Sequence, residues 1–317
     1  MARLTFVFLL QSLCALTASQ YLNWSTYKAN GVNLGGWLVQ ESTIDTTWWA
    51  EYSKGAPDEW CLCANQGSPV LEHRYATWIT TAVIDDLYEA GIIDVHSLPG
   101  GVNGMSFGEA EEHFGRFNNQ TALDHSLEVI DAVISYVQNS GYPESYTIAA
   151  INEPVDNPDL SFFGAPLPLS DGGAAWVLQY ILAVIDRLSA VKGNIPIMFQ
   201  DSFHKEAYWS PQIPSDANIV FDVHHYYFAG RGTTGQNITS YICSDAEESP
   251  GDGESPVFIG EWSVQAEFDN TLADRERPLN TGLYAFAAHT PDCWKYLAFA
   301  DQGTINPSEA MEECSGV

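Results

Sequence analysis

Two glutamates stand directly after short apolar segments of the kind that form buried strands. Glu153 lies in the sequence Ile151-Asn-Glu-Pro154, and Glu261 lies in Ile259-Gly-Glu-Trp-Ser263. Cleavage of a glycosidic bond requires two carboxyl groups, one to protonate the leaving oxygen and one to attack or to activate water. A single glutamate after a strand is more often a solvated loop residue, so the hypothesis depends on the pair. We interpret Glu153 as the acid/base and Glu261 as the nucleophile of a retaining glycoside hydrolase, whose carboxyl groups lie about 5–5.5 Å apart.

A histidine and a tyrosine are placed to assist these carboxylates. His224 and Tyr226 lie two residues apart in the segment Asp222-Val-His-His-Tyr-Tyr-Phe228, so on a strand they share one face. We expect them to bond the nucleophile and a sugar hydroxyl. The alternative is that His225 and Tyr227 pack outward against helices and that all four residues are structural. Adjacent strand residues point to opposite faces and no third ligand is nearby, so the two histidines are not predicted to bind a metal.

Short apolar segments alternate along the chain with longer segments of helical period. The predicted strands are 31–37, 92–96, 147–151, 195–200, 219–224, 256–260 and 294–299, and the predicted helices are 77–90, 122–139, 174–190 and 279–289. This alternation predicts parallel strands joined by crossovers. The candidate residues follow successive strands, where a (β/α)8 TIM barrel places its active site. An open doubly wound sheet is the alternative, although residues 31–36 do not match the dinucleotide motif G-x-G-x-x-G.

The charge and the aromatic content narrow the class of ligand. The 317 residues include 12 basic and 41 acidic side chains, which gives a formal net charge of −29. Such a surface repels phosphate backbones and anionic lipids, so no nucleic-acid partner is expected. A neutral polysaccharide meets no such repulsion. The 10 Trp and 15 Tyr residues fit sugar stacking and an ordinary aromatic core equally well.

Residues 1–19 have the pattern of a signal peptide, with a basic start, an apolar run and small residues before Gln20. The apolar run is too short to span a bilayer, so secretion to the extracellular space or cell wall is predicted rather than membrane insertion. A buried N-terminal strand is the alternative. Residues 20–317 are then expected to form a single, monomeric catalytic domain. Three glycosylation sequons fit this context, at Asn23, Asn119 and Asn237.

The cysteines do not have the spacing of a zinc site. Six are present, and Cys14 lies in the predicted signal peptide. The other five are disulfide candidates whose pairing the sequence leaves open, and their odd number implies at least one unpaired thiol. They are Cys61, Cys63, Cys243, Cys293 and Cys314.

A set of motifs in fixed order together resembles glycoside hydrolase family 5, and most closely its exo-β-1,3-glucanase branch. The motifs are Gly31-Val-Asn-Leu-Gly-Gly-Trp37 with Glu41, Tyr75-Ala-Thr-Trp-Ile-Thr80, Asp94-Val-His-Ser-Leu-Pro-Gly100 with Asn103-Gly104, Asn152-Glu-Pro154, His224 with Tyr226, and Gly260-Glu-Trp-Ser263. The resemblance implies a (β/α)8 barrel that releases glucose from β-1,3-glucan without a metal or organic cofactor. It also implies that Asn152 bonds the sugar 2-hydroxyl, that Glu41 binds the terminal glucose, and that the −1 subsite is lined by His96, His224 and Tyr226.

The chain departs from the family pattern in ways that bear on activity. Gly91 runs almost directly into Ile93-Asp94-Val-His96, so one βα unit is predicted to be missing after about residue 91, together with an arginine expected beside the nucleophile. Arg74 is not expected to take the place of this arginine. Leu297 and Phe107 also replace expected sugar-binding residues. Two explanations stay open, an incomplete gene product or a catalytically impaired glucan-binding relative. A structural cell-wall protein would explain none of the strand-end motifs.

Overall fold

The computed structural model describes residues 22–26, 33–80, 91–105, 110–159, 163, 169–191, 194–249, 253 and 255–268. Several sequence-based predictions lie outside these ranges. They are the signal peptide at 1–19, the helix at 279–289, the strand at 294–299, and the residues Phe107, Cys293, Leu297 and Cys314.

The described residues contain a parallel five-stranded sheet whose strands stand in chain order. The strands are β1 (Gly91–Asp94), β2 (Tyr146–Ala149), β3 (Ile197–Gln200), β4 (Ile219–Tyr227) and β5 (Val257–Ala266). Five of the predicted strands are thereby confirmed, with small differences at their ends. Parallel neighbours in sequential order, linked by helical crossovers, are the arrangement of an incomplete (β/α)8 barrel.

Seven α-helices accompany the sheet in the described part of the chain. They are α1 (Thr46–Tyr52), α2 (Glu59–Gln66), α3 (Ser68–Thr77), α4 (Gln120–Asn139), α5 (Asp171–Ser189), α6 (Glu206–Trp209) and α7 (Ile238–Glu248). The helices predicted at 122–139 and 174–190 are confirmed as α4 and α5. The helix predicted to begin at 77 is wrong in its described part, because α3 ends at Thr77 and residues 78–80 are not helical.

The predicted strand at 31–37 is also wrong in its described part, since residues 33–37 contain no strand and the chain turns at Gly35 and Gly36. The backbone of Gly36 has φ +68°, a left-handed conformation that glycine adopts without strain. The side-chain amide of Gln40 donates to the carbonyl oxygens of Gly36 and of Trp37, the latter at 3.1 Å. These carbonyl groups are therefore bonded locally, and they are not used for pairing with a neighbouring strand.

The two long helices pack on one face of the sheet and form the main core. The side chain of Asn119 caps α4 by accepting from the amide of Ala122 at 3.2 Å. The apolar stripe of this helix is buried: Leu123, Leu127, Ile130, Ile134 and Val137. On α5 the buried hydroxyl of Tyr180 donates to the carbonyl oxygen of Ala150 at 2.8 Å. This bond fixes α5 to the segment that leads into Asn152 and Glu153.

The opposite face of the sheet carries a smaller apolar cluster. Trp24 packs there with Ala149, Met198 and Val220 and meets Phe258 edge-on, with a ring-centroid distance of 5.4 Å. The indole nitrogen of Trp24 donates to the hydroxyl of Thr147 at 2.9 Å. Since strand residues alternate between faces, residues two apart from Val220 along β4 continue on this same face. The candidate site therefore lies beyond the Trp24 cluster, toward the carboxyl ends of the strands.

Two further features of the described residues concern membranes and thiols. The helices are all too short or too polar to cross a bilayer. Cys61 and Cys63 carry free thiols, which does not agree with the prediction that both are disulfide candidates, whereas Cys243 is disulfide-bonded. Cys61 and Cys63 lie on the same short helix, α2, and pack against its apolar neighbours.

Candidate active site

Glu153 is held in a strained, buried position four residues beyond the end of β2. Its backbone has φ +40°, which lies in the left-handed region that costs energy for any residue with a side chain. The residue is 3% exposed. Its Oε1 lies 2.7 Å from Nδ1 of His224. Backbone strain of this kind occurs at functional sites, where the surrounding structure fixes the side chain in one direction.

Glu261 lies on β5 and faces the same histidine. The phenol of Tyr226 donates to Oε2 of Glu261 at 2.7 Å, and this oxygen lies 3.6 Å from Nδ1 of His224. His224 and Glu261 are paired residues of β4 and β5, next to a register shift between Val223 and His224. Such bulges redirect side chains, and here the irregular pairing brings β4 and β5 side chains together.

The two glutamates converge as the sequence predicted. One side-chain ligand atom from each of Glu153, His224 and Glu261 lies within 4.8 Å of the others. This spacing would also suit a metal-ligand set. However, His224 is surrounded by carboxylates that favour its doubly protonated form, which has no lone pair to offer a metal. The cluster is arranged to hold and exchange protons.

The ring of His224 is buried, and the carboxyl groups of Glu153, Asp222 and Glu261 lie around it. Burial lowers the pKa of His224, but Asp222 and Glu153 outweigh this effect and hold the pKa well above its ordinary value. Oδ2 of Asp222 lies 3.4 Å from Nε2 of the ring, on the side opposite Glu153. The two carboxyl groups therefore favour the cationic form of the imidazole, which lies between them.

The charge state of Glu153 follows from its burial. Burial raises the pKa of Glu153, and the hydrogen bond and positive charge of His224 lower it only in part, so the net shift is upward. The negative charge of Glu261 adds to the rise. A raised pKa favours a protonated Glu153, which is the state that an acid catalyst needs.

The remaining predicted residues lie around this pair. Nδ1 of His96 lies 2.8 Å from Oδ2 of Asp94, and Nε2 of the same ring lies 3.4 Å from the side-chain amide of Asn152. Burial lowers the pKa of His96, but Asp94 more than compensates and the value rises to about 9. Burial raises the pKa of Glu41, which also responds to the charges of His96, Glu261 and Glu153.

All the predicted site residues are therefore brought into one place, although their roles stay predictions. Sequence reasoning missed Asp94 and Asp222, each of which contacts a site histidine. The signal was present, because the tripeptide Asp-Val-His occurs twice, at residues 94–96 and 222–224. In both cases the aspartate bonds the histidine two residues further on, as the shared face of a strand allows.

No arginine lies beside Glu261 in the part of the chain that the structure describes. The ion pairs that Glu153 and Glu261 make there are both with His224. Arg74 is buried elsewhere, where it donates to Gln40 at 3.1 Å and to Asp45 at 3.0 Å. The expectation that Arg74 is no substitute agrees with these contacts. His224 supplies the positive charge next to the two glutamates.

Comparison with known proteins agrees with this geometry. Residues 45–294 match the cellulase family, which is glycosyl hydrolase family 5. A probable glucan 1,3-beta-glucosidase A of Aspergillus niger (strain ATCC MYA-4892 / CBS 513.88 / FGSC A1513) is 23% identical, over 78% of this chain and 67% of that protein. The solved structure of a rutinosidase from Aspergillus niger is 43% identical with a TM-score of 0.77, over 90% of this chain and all of that one.

A second solved structure, described as AoRut, is 46% identical with a TM-score of 0.78, over 91% of this chain and 99% of the other. The family match covers most of the chain, and it includes every predicted site residue except Glu41. The chain therefore belongs to glycosyl hydrolase family 5 and is a glycosyl hydrolase.

Proposed function

We propose that the protein is a retaining β-glycosidase in which Glu153 is the acid/base and Glu261 is the nucleophile. The observation that carries the proposal is the close approach of the two side chains, whose ligand atoms lie within 4.8 Å of one another around His224. A separation of about 5–5.5 Å is typical of retaining enzymes, whereas inverting enzymes leave room for a water between their carboxyl groups.

In the first step Glu153 protonates the glycosidic oxygen while a carboxylate oxygen of Glu261 attacks the anomeric carbon. The bond between that carbon and the leaving oxygen breaks, and a glycosyl ester of Glu261 forms. Tyr226 donates to Oε2 of Glu261 at 2.7 Å and so orients this carboxylate. The aglycone leaves with the proton that Glu153 supplied.

In the second step Glu153, now ionised, removes a proton from water. The water oxygen attacks the anomeric carbon, and Glu261 is released as a carboxylate. His224 stands 2.7 Å from Glu153 and carries the positive charge that balances its ionised form. The enzyme returns to its starting protonation state.

For the substrate we infer a β-rutinoside, in which a disaccharide is linked to an aglycone. The Aspergillus niger rutinosidase is 43% identical and is matched along its whole length, whereas the curated glucosidase is 23% identical over 67% of its length. The second candidate is exo-cleavage of β-1,3-glucan. The name of that curated relative and the order of the motifs favour it.

We propose further that the protein is secreted, by cleavage near Gln20, and that it acts as a monomer. Sequencing the N-terminus of the protein recovered from the culture medium tests the first point. A protein retained in cells with residues 1–19 attached would contradict it. Size-exclusion chromatography with light scattering tests the second point, since a dimer would have twice the mass of one mature chain, which is below the 34.9 kDa of the full 317 residues.

The proposal is tested by incubating the protein with rutin and, separately, with laminari-oligosaccharides. NMR of the first sugar released should show the β-anomer before mutarotation, and Glu261→Gln should abolish release. Glu128→Gln is the matched control, because Glu128 makes an exposed contact with His125 on α4. The α-anomer as first product would overturn the retaining mechanism. Binding without turnover, unchanged in Glu261→Gln, would instead favour the impaired glucan-binding relative.

A further inference from the structure

Asp222 is a buried carboxylate that lies directly beneath the site histidine. Its Oδ2 lies 3.4 Å from Nε2 of His224, and its Oδ1 has no hydrogen-bond partner among the described residues. An ionised carboxylate in such a place is costly unless a positive group balances it. Burial raises the pKa of Asp222, and the charge and hydrogen bond of His224 lower it only in part, so the net shift is upward. The two groups therefore depend on each other.

The neighbouring strand is shaped to admit this carboxylate. A β-carbon placed on Gly260 would collide with the Oδ1, Oδ2 and Cγ atoms of Asp222. The space occupied by the Asp222 carboxylate is thus the space that a side chain at position 260 would require. Glycine at this position, immediately before Glu261, keeps Asp222 in contact with His224.

We propose that Asp222 is a positioning residue that fixes the ring of His224, with Nε2–H toward Asp222 and Nδ1 toward Glu153. The proposal rests on the function proposed above and assigns Asp222 a part in it. Asp94 and His96, at the end of β1, form a second aspartate–histidine contact of the same sequence spacing, made there through Nδ1 at 2.8 Å. A histidine fixed in this way can face the acid/base with one defined nitrogen.

The consequence for the reaction concerns the proton on His224. Three carboxyl groups face this ring, those of Glu153, Glu261 and Asp222. The charge of the ring also acts on Asp201, just beyond the end of β3, where it lowers the pKa against the larger effect of burial. When Glu153 gives its proton to the glycosidic oxygen, the Nδ1–H of the cationic ring stays bonded to the new carboxylate. Asp222 keeps that cation protonated through both steps. Without Asp222 the ring loses a proton at lower pH, and the positive charge beside Glu153 is then lost.

The first test is the pH profile of Asp222→Asn. We expect kcat to fall about 10- to 100-fold, the range of one lost hydrogen bond to a charged group. KM should change little, because Asp222 lies below His224. The alkaline limb should move to higher pH, because a neutral His224 no longer lowers the pKa of Glu153. Asp245→Asn is the matched control, since Asp245 pairs with His225, the next residue on the same strand, at 3.7 Å. The Asp245→Asn variant should be less stable than the parent protein, but the alkaline limb of its pH profile should not move.

The second test measures the protonation of the His224 ring directly and does not depend on catalytic turnover. Histidine labelled with 15N should show both nitrogens of His224 protonated at pH 7 in the parent protein, with its signals assigned by their loss in His224→Gln. In Asp222→Asn, and in Gly260→Ala, which displaces the carboxylate, a neutral ring is expected. An unchanged ring and an unchanged alkaline limb in Asp222→Asn would overturn the proposal. A parent protein that cleaves no glycoside would overturn the proposed function, while the NMR result would still decide the role of Asp222.

Discussion

The phenol of Tyr226 on β4 donates a 2.7 Å hydrogen bond to Oε2 of Glu261 on β5. Burial raises the pKa of Tyr226, and the charge of Glu261 raises it further, so the phenol stays protonated and remains a donor. The bond crosses the irregular pairing between the two strands, where the register shifts between His225 and Tyr227. The geometry of the proposed nucleophile therefore depends on the strand register as much as on the glutamate itself.

Tyr226→Phe should lower kcat about 10- to 100-fold, because a hydrogen bond to a charged group contributes about 1.5–3 kcal/mol. The measurement is steady-state kinetics on rutin or on an activated aryl β-glucoside. The control is Tyr142→Phe, which removes the same hydroxyl from an exposed position. An unchanged kcat in Tyr226→Phe would show that Glu261 does not need this donor.

Glu153→Gln should affect substrates according to their leaving groups. Protonation of the leaving oxygen matters most for a poor leaving group, so turnover of an alkyl β-glucoside should fall far more than that of a nitrophenyl β-glucoside. In the parent protein, kcat should also decline as pH rises through the pKa of Glu153, which burial holds above its ordinary value. Equal losses on both substrates would show that Glu153 acts other than as the acid.

The strand order and the site residues could be predicted from sequence because each followed a local pattern. The apolar face of α4 has helical period, and the site residues His224 and Tyr226 have strand period. The turn at 33–37 was missed, because the carbonyl bonds from Gln40 are set by side-chain placement and not by periodicity. Helices α1 and α2 were also missed, although their capping aspartates, Asp45 and Asp58, could have indicated where they begin.

The pair of Asp94 and His96 should make stability depend on pH. Burial lowers the pKa of His96, but Asp94, with smaller contributions from Glu261 and Glu41, outweighs it and raises the pKa from 6.5 to about 9. Since the folded value lies above the unfolded one, the contribution is complete below about pH 6.5 and is lost as pH rises through about 9. Asp94→Asn should therefore lower the melting temperature at pH 6 and have little effect near pH 10. A difference of the same size at both pH values would contradict this linkage.

Asp245 should matter for stability through Arg231. The guanidinium of Arg231 donates to both carboxylate oxygens of Asp245, at 2.6 and 3.0 Å, in a largely buried setting between β4 and α7. Removing one partner of such a pair leaves the other charge unbalanced and costs about 3 kcal/mol. Asp245→Asn should lower the free energy of unfolding by this amount, which urea denaturation would show as a lower midpoint concentration. Glu248→Gln, which removes an exposed contact with Lys205, is the control and should change it little.

Strand β1 lies at the edge of the described sheet, and this position is relevant to the βα unit that is predicted to be missing. Within the described residues β1 pairs with β2 alone, and the side chain of Ile92 on it is 37% exposed. A closed barrel has no edge strand, and an unpaired edge invites aggregation. We therefore expect the transcript to contain additional coding sequence between codons 88 and 96, about 30 residues or more, with a Val-Arg-Ile-Pro-like strand.

Sequencing of cDNA across these codons checks the expectation. The longer chain should melt at a higher temperature than the 317-residue chain, and the amide of Ile92 should exchange more slowly, because its strand gains a second neighbour. The longer chain should also place the expected arginine beside Glu261 and raise kcat. A contiguous transcript whose product is monomeric and fully active would show that the 317-residue chain suffices for the reaction without the added unit and its arginine.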